Sequence, residues 1–519
     1  MIERLAIAMC CALLVGCGGD VTDPGPQGTP SNVSSGGNNT TAGTENNTTP
    51  TNNATTANNG GTTVPQVEAP RRWPVADSVT HDVDTSLAAV LENDRLQGAC
   101  DRYNSGQTDE ETMLLCGKWM FFYETFGTVG IPKKLLEFGQ DWYEDYYGPG
   151  YEDFGFIADP NSPEGFPIGL AETTGMSGSL ETRAFTCASC HFGQMPDGRY
   201  AVGYGNMDLQ YGKYIAGIGA PLTLSISENS QDVHPDLRDE LLPYVRAAKA
   251  QPGYNIALAG TGIELLGAES TPQITVEEQA RFIALPPGTM DFLTKPLVDD
   301  GVWTVSRILS LWNIPTDEVR GEYGMDHAYL SWTGGATTLD SFISGFVAIG
   351  VADPGAWPPE RIAPLKAYME SLRVPELQRE LPQGSVDMGA EVFVEAGCLD
   401  CHNGPSGESI EAYGYDELGV DDAMRYIFNP NEAGELCCGF EGGDSTYVVT
   451  DGIKAPRLTG LENQRRFLHN GSVESLGQLL CMESRPVDNN FAQGSQGHDY
   501  GCDLSESERG MLVTYLLSL

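Results

Sequence analysis

The chain has 519 residues, enough for two or three domains that each bury a full core. Its 72 acidic against 29 basic side chains give a net charge of −43, which excludes nucleic acid as a partner because phosphate binding needs clustered Lys and Arg. Such a surface keeps a protein soluble or steers a basic protein partner towards it.

The N-terminus opens with an apolar run from Leu5 to Val15 that ends in Leu14-Val15-Gly16-Cys17. This resembles the lipobox of bacterial lipoproteins, in which the cysteine is lipidated, and the run is too short to span a bilayer. Residues 1–17 are therefore expected to be a signal peptide. The mature chain is expected to be exported and lipid-anchored in the cell envelope, in the periplasm or at the outer membrane and cell surface, touching membrane through that anchor only. Residues 18–72 hold no aromatic side chain before Trp73 and no Lys or Arg between Arg4 and Arg71. An Asn/Thr/Gly-rich stretch of this kind buries too little apolar surface to offset its ordering entropy, so it reads as a disordered linker.

In the folded part, Thr108-x-x-Glu111 predicts the start of a helix carrying Met113, Cys116 and Met120, stopped before Gly127 and Pro132. Next comes Cys187-Ala188-Ser189-Cys190-His191, and much later Cys398-Leu399-Asp400-Cys401-His402. Two thiols three residues apart can bond the two vinyl groups of a haem, and the adjacent histidine then faces the iron. Redox dithiols and half of a zinc site share the CxxC spacing. With only 7 histidines in 519 residues, however, two falling directly after a CxxC by chance is improbable. Two covalently bound haem c groups are the expected cofactors. Ser385 is expected to cap a helix through Val386, Met388, Val392 and Phe393 into the second motif. Ser505-x-x-Glu508 is a capping box opening a C-terminal helix with Met511, Leu512, Tyr515, Leu516 and Leu519 on one face.

Thirteen cysteines divide into Cys10, Cys11 and Cys17 in the signal region, four in the two motifs, and six others. Six suits three disulfides in an oxidising compartment. Cys100 and Cys116 form a local pair, and Cys437 and Cys438 are expected to reach Cys481 and Cys502, since a bridge between adjacent residues is strained. Of the remaining histidines, His469 follows the apolar Phe467-Leu468 downstream of His402 and is the expected distal ligand of the second haem, with Met482 and His498 as alternatives. For the first haem, Met195, Met207, His234 and His327 lack a supporting pattern, so an open sixth position is expected there. Arg457, Arg465 and Arg466 suit haem propionates.

The order of motifs resembles the bacterial dihaem cytochrome c peroxidase and MauG superfamily. The matching stretches are Arg307-Ile308-Leu309-Ser310-Leu311-Trp312-Asn313, Trp332-Thr333-Gly334-Gly335, and Lys454-Ala455-Pro456-Arg457-Leu458 leading to His469. The resemblance implies two facing cytochrome c domains with a tryptophan between the haems, a role that falls on Trp332, with Trp303 and Trp312 behind it. The loop through Gly205-Asn206-Met207 lacks the histidine that peroxidases place over the catalytic haem. Phe126-Gly127-Thr128-Val129-Gly130-Ile131-Pro132 looks more like the rubber oxygenase branch.

The whole predicts a mostly α fold of two cytochrome c-like domains with long irregular loops. Residues 73–375 form the first domain, with large insertions, and 376–519 the second. The function expected is a dihaem c-type oxidoreductase whose first haem reacts with O2 or hydrogen peroxide while the second transfers electrons. Its partners would be a small redox protein or a small apolar organic substrate. The alternative is a non-catalytic electron-transfer lipoprotein.

Overall fold

The computed structural model describes residues 68–74, 78–128, 130–142, 149–173, 181–215, 217, 283–291, 305–325, 330, 332–349, 354–424, 452–486 and 494–519. The signal region, most of the linker, His234, His327, Trp303, Cys437 and Cys438 lie outside the described residues. Helices outweigh strands among those that are described.

Two helix pairs cross closely within the core. Helix α1, Glu110–Tyr123, starts at Asp109, whose carboxylate accepts from the Thr112 N–H at 2.9 Å. The cap is thus one residue after the expected Thr108, because an aspartate fills the same role at the N-terminus. Helix α1 packs on α2, Pro359–Ser371, at Gly117, where an added Cβ would lie 2.1 Å from the Pro364 carbonyl oxygen. Further along, α3, Gln383–Glu395, begins at Pro382 rather than at Ser385, which lies inside its first turn. Helix α3 crosses the C-terminal helix α4, Glu506–Ser518, at Gly389, where a Cβ would meet the Met511 carbonyl oxygen at 2.2 Å. The Ser505/Glu508 capping box forms as expected. Both crossings let backbones approach closely only because glycine has no side chain there.

Three small antiparallel sheets, which period-based reading of the sequence missed, surround the first motif. Strands β1 (Val83–Asp84), β6 (Tyr200–Val202) and β5 (Phe192–Gln194) form one, β2 (Ile131–Pro132), β4 (Thr182–Phe185) and β3 (Leu170–Thr173) another, and β7 (Thr289–Asp291) with β8 (Val305–Arg307) a third. Strands this short show too few alternations to register as a period of two.

Buried apolar side chains gather in three clusters. One runs from Val90 to Val374, a second from Val392 to Leu519, and a small third joins Trp332 to Tyr415, Met424 and Ile453. All lie within a single unit, Pro65–Leu519. Of residues 68–72, at the end of the expected linker, Pro70 and Arg72 touch the folded part while Glu68 and Arg71 are exposed. Tyr515 Oη donates to the Pro70 carbonyl at 2.6 Å, and the Arg72 guanidinium reaches the Pro375 and Ser518 carbonyls. Side-chain contacts outweigh the polar composition there. Among the described residues no helix is long and apolar enough to cross a membrane.

Cys100 and Cys116 are bridged, as expected. Cys481 and Cys502 are bridged to each other, which overturns the expectation that each pairs with Cys437 or Cys438. The turn after Leu480 brings the two within 5.2 Å (Cα–Cα), a local closure that sequence spacing did not reveal. Opening the first bridge in a Cys100→Ser/Cys116→Ser variant should lower unfolding stability by about 3 kcal/mol, the chain-entropy value for a loop of this length. A urea midpoint unchanged from the parent would show that the bridge constrains nothing.

Candidate functional site

The first CxxCH motif is a five-residue helix, Cys187–His191, set between strands β4 and β5. The Thr186 N–H donates to Ser189 Oγ at 3.2 Å, and that hydroxyl donates to the Gly169 carbonyl at 2.5 Å, which fixes the helix against β3. The second motif follows α3 through Gly397, whose φ of 75° turns the chain into a short 3-10 turn, Cys398–Asp400.

The state of the thiols separates the possible chemistries. This chain bridges Cys100–Cys116 and Cys481–Cys502, yet Cys187, Cys190, Cys398 and Cys401 are all unbridged. Burial pushes the thiols of Cys187 and Cys190 up to about 12 and that of Cys398 to about 11. A redox dithiol needs the opposite, a thiol held low enough to form thiolate near neutral pH. Neutral thiols beside a histidine suit thioether attachment.

The histidines of the two motifs are half-buried, in surroundings that favour the neutral ring. Burial pushes His191 down to about 4 against the opposing pull of the Leu309 carbonyl, and Arg457 adds to the downward shift. His191 Nδ1 nevertheless makes no hydrogen bond of normal geometry. Burial likewise pushes His402 to about 4. Its Nδ1 lies 2.6 Å from the Gly407 carbonyl, an arrangement that leaves Nε2 to face a metal.

Between the motifs lie buried cations that the sequence alone did not single out. Lys454 is 4% exposed and Arg307 5%, and among the described residues neither makes an ion pair with a carboxylate. Burial pushes Lys454 down to about 8 and Arg307 to about 9. Arg307 donates to the Leu468 carbonyl and Gln464 and lies 5.2 Å over the Trp332 ring. Arg457 donates to the Trp312 and Ser310 carbonyls and lies near enough to both His191 and Lys454 to act on them. Of these, Lys454 has the buried Glu408 acting on it, and Arg307 has no carboxylate within ion-pair distance among the described residues, so three clustered cations suit a group that brings carboxylates of its own. Haem propionates meet that need. Arg465 is instead half-exposed and pairs with Asp208 at 2.8 Å.

Trp332 is buried, donates from Nε1 to the Arg307 carbonyl at 3.3 Å, and meets the His469 ring edge-on at 6.4 Å. Its cluster joins it to Tyr415, Met424 and Ile453, with Leu309, Leu418 and Val420 packed against them. His469 is 3% exposed, and its Nε2 lies 2.8 Å from the Asp421 carboxylate. His498 is near enough to the His402 ring to act on it electrostatically. The Arg485 guanidinium holds the His498 loop by donating to the Gly497 carbonyl at 2.6 Å and the His498 carbonyl at 3.0 Å. His498 itself adopts a left-handed φ of 53°. Met482 is exposed, Met195 and Met207 are buried in the first core, and His81 is an exposed partner of Asp84.

No protein-family model matches this chain, and no curated protein matches it. One solved structure with which it aligns is hydrazine synthase of Kuenenia stuttgartiensis pressurized with 20 bar xenon. The alignment has 15% identity, covers 49% of this chain and 90% of that one, and gives a TM-score of 0.25. At that score the likeness carries no argument about fold or function.

Proposed function

We propose that the chain is a dihaem c-type oxidoreductase made of two cytochrome c-like domains, residues 73–375 and 376–519. The observation that carries this reading is the set of four unbridged, CxxCH-placed cysteines in a chain that bridges others. When bound, haem c supplies an iron that takes up O2 or peroxide where its sixth position is open and passes single electrons where that position is filled.

The chain's own groups have distinct tasks. The Cys187/Cys190 and Cys398/Cys401 thiols each add across a vinyl group, which changes no oxidation state. His191 and His402, held neutral by desolvation, would each offer an imidazole nitrogen to a haem iron. Arg307, Lys454 and Arg457 neutralise propionates. Trp332, packed against both halves, stands as the bridge for electrons between them. As sixth ligand of the second haem we take His498, which acts electrostatically on His402, over His469, whose Nε2 lies 2.8 Å from the Asp421 carboxylate although neither of its ring nitrogens makes a hydrogen bond. Export and lipid anchoring through Cys17 belong to the same proposal.

Exogenous imidazole, cyanide or CO should perturb one of the two haems, and that signal should vanish when His191 is replaced. If neither haem binds any of these in either oxidation state, electron transfer without catalysis takes its place. Low-spin absorbance of the second haem should turn high-spin in His498→Ala and persist in His469→Ala. The reverse pattern would assign His469 as its ligand.

A further inference from the structure

In the N-terminal half, an open cleft of about 1280 Å³ lies between the end of α1, the β3–β4 pair and Trp357. None of Cys187, Cys190 and His191 lines it. It meets the first motif only from behind, through Gly169, which accepts from Ser189, and Phe122, which meets Phe192 edge-on at 5.1 Å. The cleft is therefore separate from the surface on which the motif would carry a haem.

Its walls are aromatic. Phe126 and Trp357 meet edge-to-face at 4.9 Å, and Trp119, Phe122 and Phe166 complete the lining. Flat apolar walls of this kind take a planar ring. Two further observations narrow its chemistry. The cation-binding faces are already filled by the chain itself, with the Arg361 guanidinium 3.5 Å over Trp357 and that of Arg183 5.0 Å over Phe166. Asp94, Asp159, Glu164 and Glu172 also line the cleft, which disfavours an anion.

One buried donor remains. Arg183 is 9% exposed and gives Nη2 to Glu164, while its buried Nη1 makes no hydrogen bond and stands 3.6 Å from Glu172. Its charge is compensated but its N–H is unspent, so it seeks a neutral oxygen rather than a second carboxylate. Glu124 presents a carboxyl that burial raises above its ordinary range, with an oxygen accepting from the Phe126 N–H at 3.0 Å.

We propose that this cleft binds a neutral aromatic molecule bearing a hydrogen-bonding oxygen, of the phenol class, with its ring among Trp357, Phe126 and the half-buried Trp119 and its oxygen on Arg183 Nη1. The inference rests on the cleft alone and is independent of the haem assignment. Titrating the full chain at neutral pH with 2-naphthol should reveal one saturable site. 2-Naphthoate and 2-naphthylmethylammonium should bind at least about tenfold more weakly, the factor expected when a charge meets an already compensated site. Trp357→Ala should weaken 2-naphthol about tenfold or more with the circular dichroism unchanged. If that variant does not fold, Phe126→Leu serves the same purpose. Arg183→Met should narrow the preference for 2-naphthol over naphthalene. No saturable binding, equal binding of either charged analogue, or affinity unchanged by a folded cleft variant would each overturn the proposal.

Discussion

A Cys398→Ala/Cys401→Ala variant should carry one covalently bound haem where the parent carries two, and should unfold more easily. Both thiols are unbridged and part-buried just beyond α3, so no disulfide among the described residues competes for them. Without a haem at this motif, Arg307 would stay buried with no carboxylate against it among the described residues and Lys454 with Glu408 alone, and removing one partner of a buried pair typically costs about 3–5 kcal/mol. Intact mass after acid–acetone extraction counts the haems, and thermal unfolding measures the loss. The matched Cys187→Ala/Cys190→Ala variant should lose the other haem. Two haems remaining in either variant, or none in the parent expressed with a c-type maturation system, would refute the attachment.

Lys118→Met should destabilise the N-terminal half by about 3–5 kcal/mol, read as a fall in urea midpoint. Lys118 is fully buried in α1 and pairs with Glu92 at 2.7 Å and Asp82 at 3.0 Å, while its ammonium also donates to the His81 carbonyl. Methionine fills a similar volume but leaves two carboxylates short of their cation. In the parent, burial raises the Glu92 carboxyl, but the Lys118 charge and hydrogen bond outweigh it and hold it below its usual 4.5. A depressed carboxyl contributes stability that is present above 4.5 and is lost as pH falls through its folded value. The deficit of the variant should therefore shrink below pH 4.5 and stay largest near neutral pH. Adding Glu92→Gln to Lys118→Met should recover part of the loss. An equal deficit at all pH values would show that packing, not charge, makes Lys118 important.

Features that depend on short-range covalent order were legible in the residues alone. The two CxxCH motifs, the Ser505/Glu508 box and the Cys100–Cys116 bridge all rest on residues close together in the chain, where spacing alone decides whether side chains can meet. Helix positions followed for the same reason, with errors of one residue where an aspartate took the cap and three where a proline did. The rest came from folding, which joins residues far apart in the chain. Cys481 found Cys502 rather than Cys437 or Cys438 because a turn closed locally, and no rule of spacing specifies that. Lys454 and Arg307 look like ordinary surface cations in sequence. They become functional candidates only when burial strips their solvent and leaves no carboxylate in contact. The nearness of His498 to His402 arises in the same way, since its loop is held by Arg485 close enough to act on that ring. The aromatic cleft draws its walls from residues as distant as Trp119 and Trp357, which no local pattern could have joined.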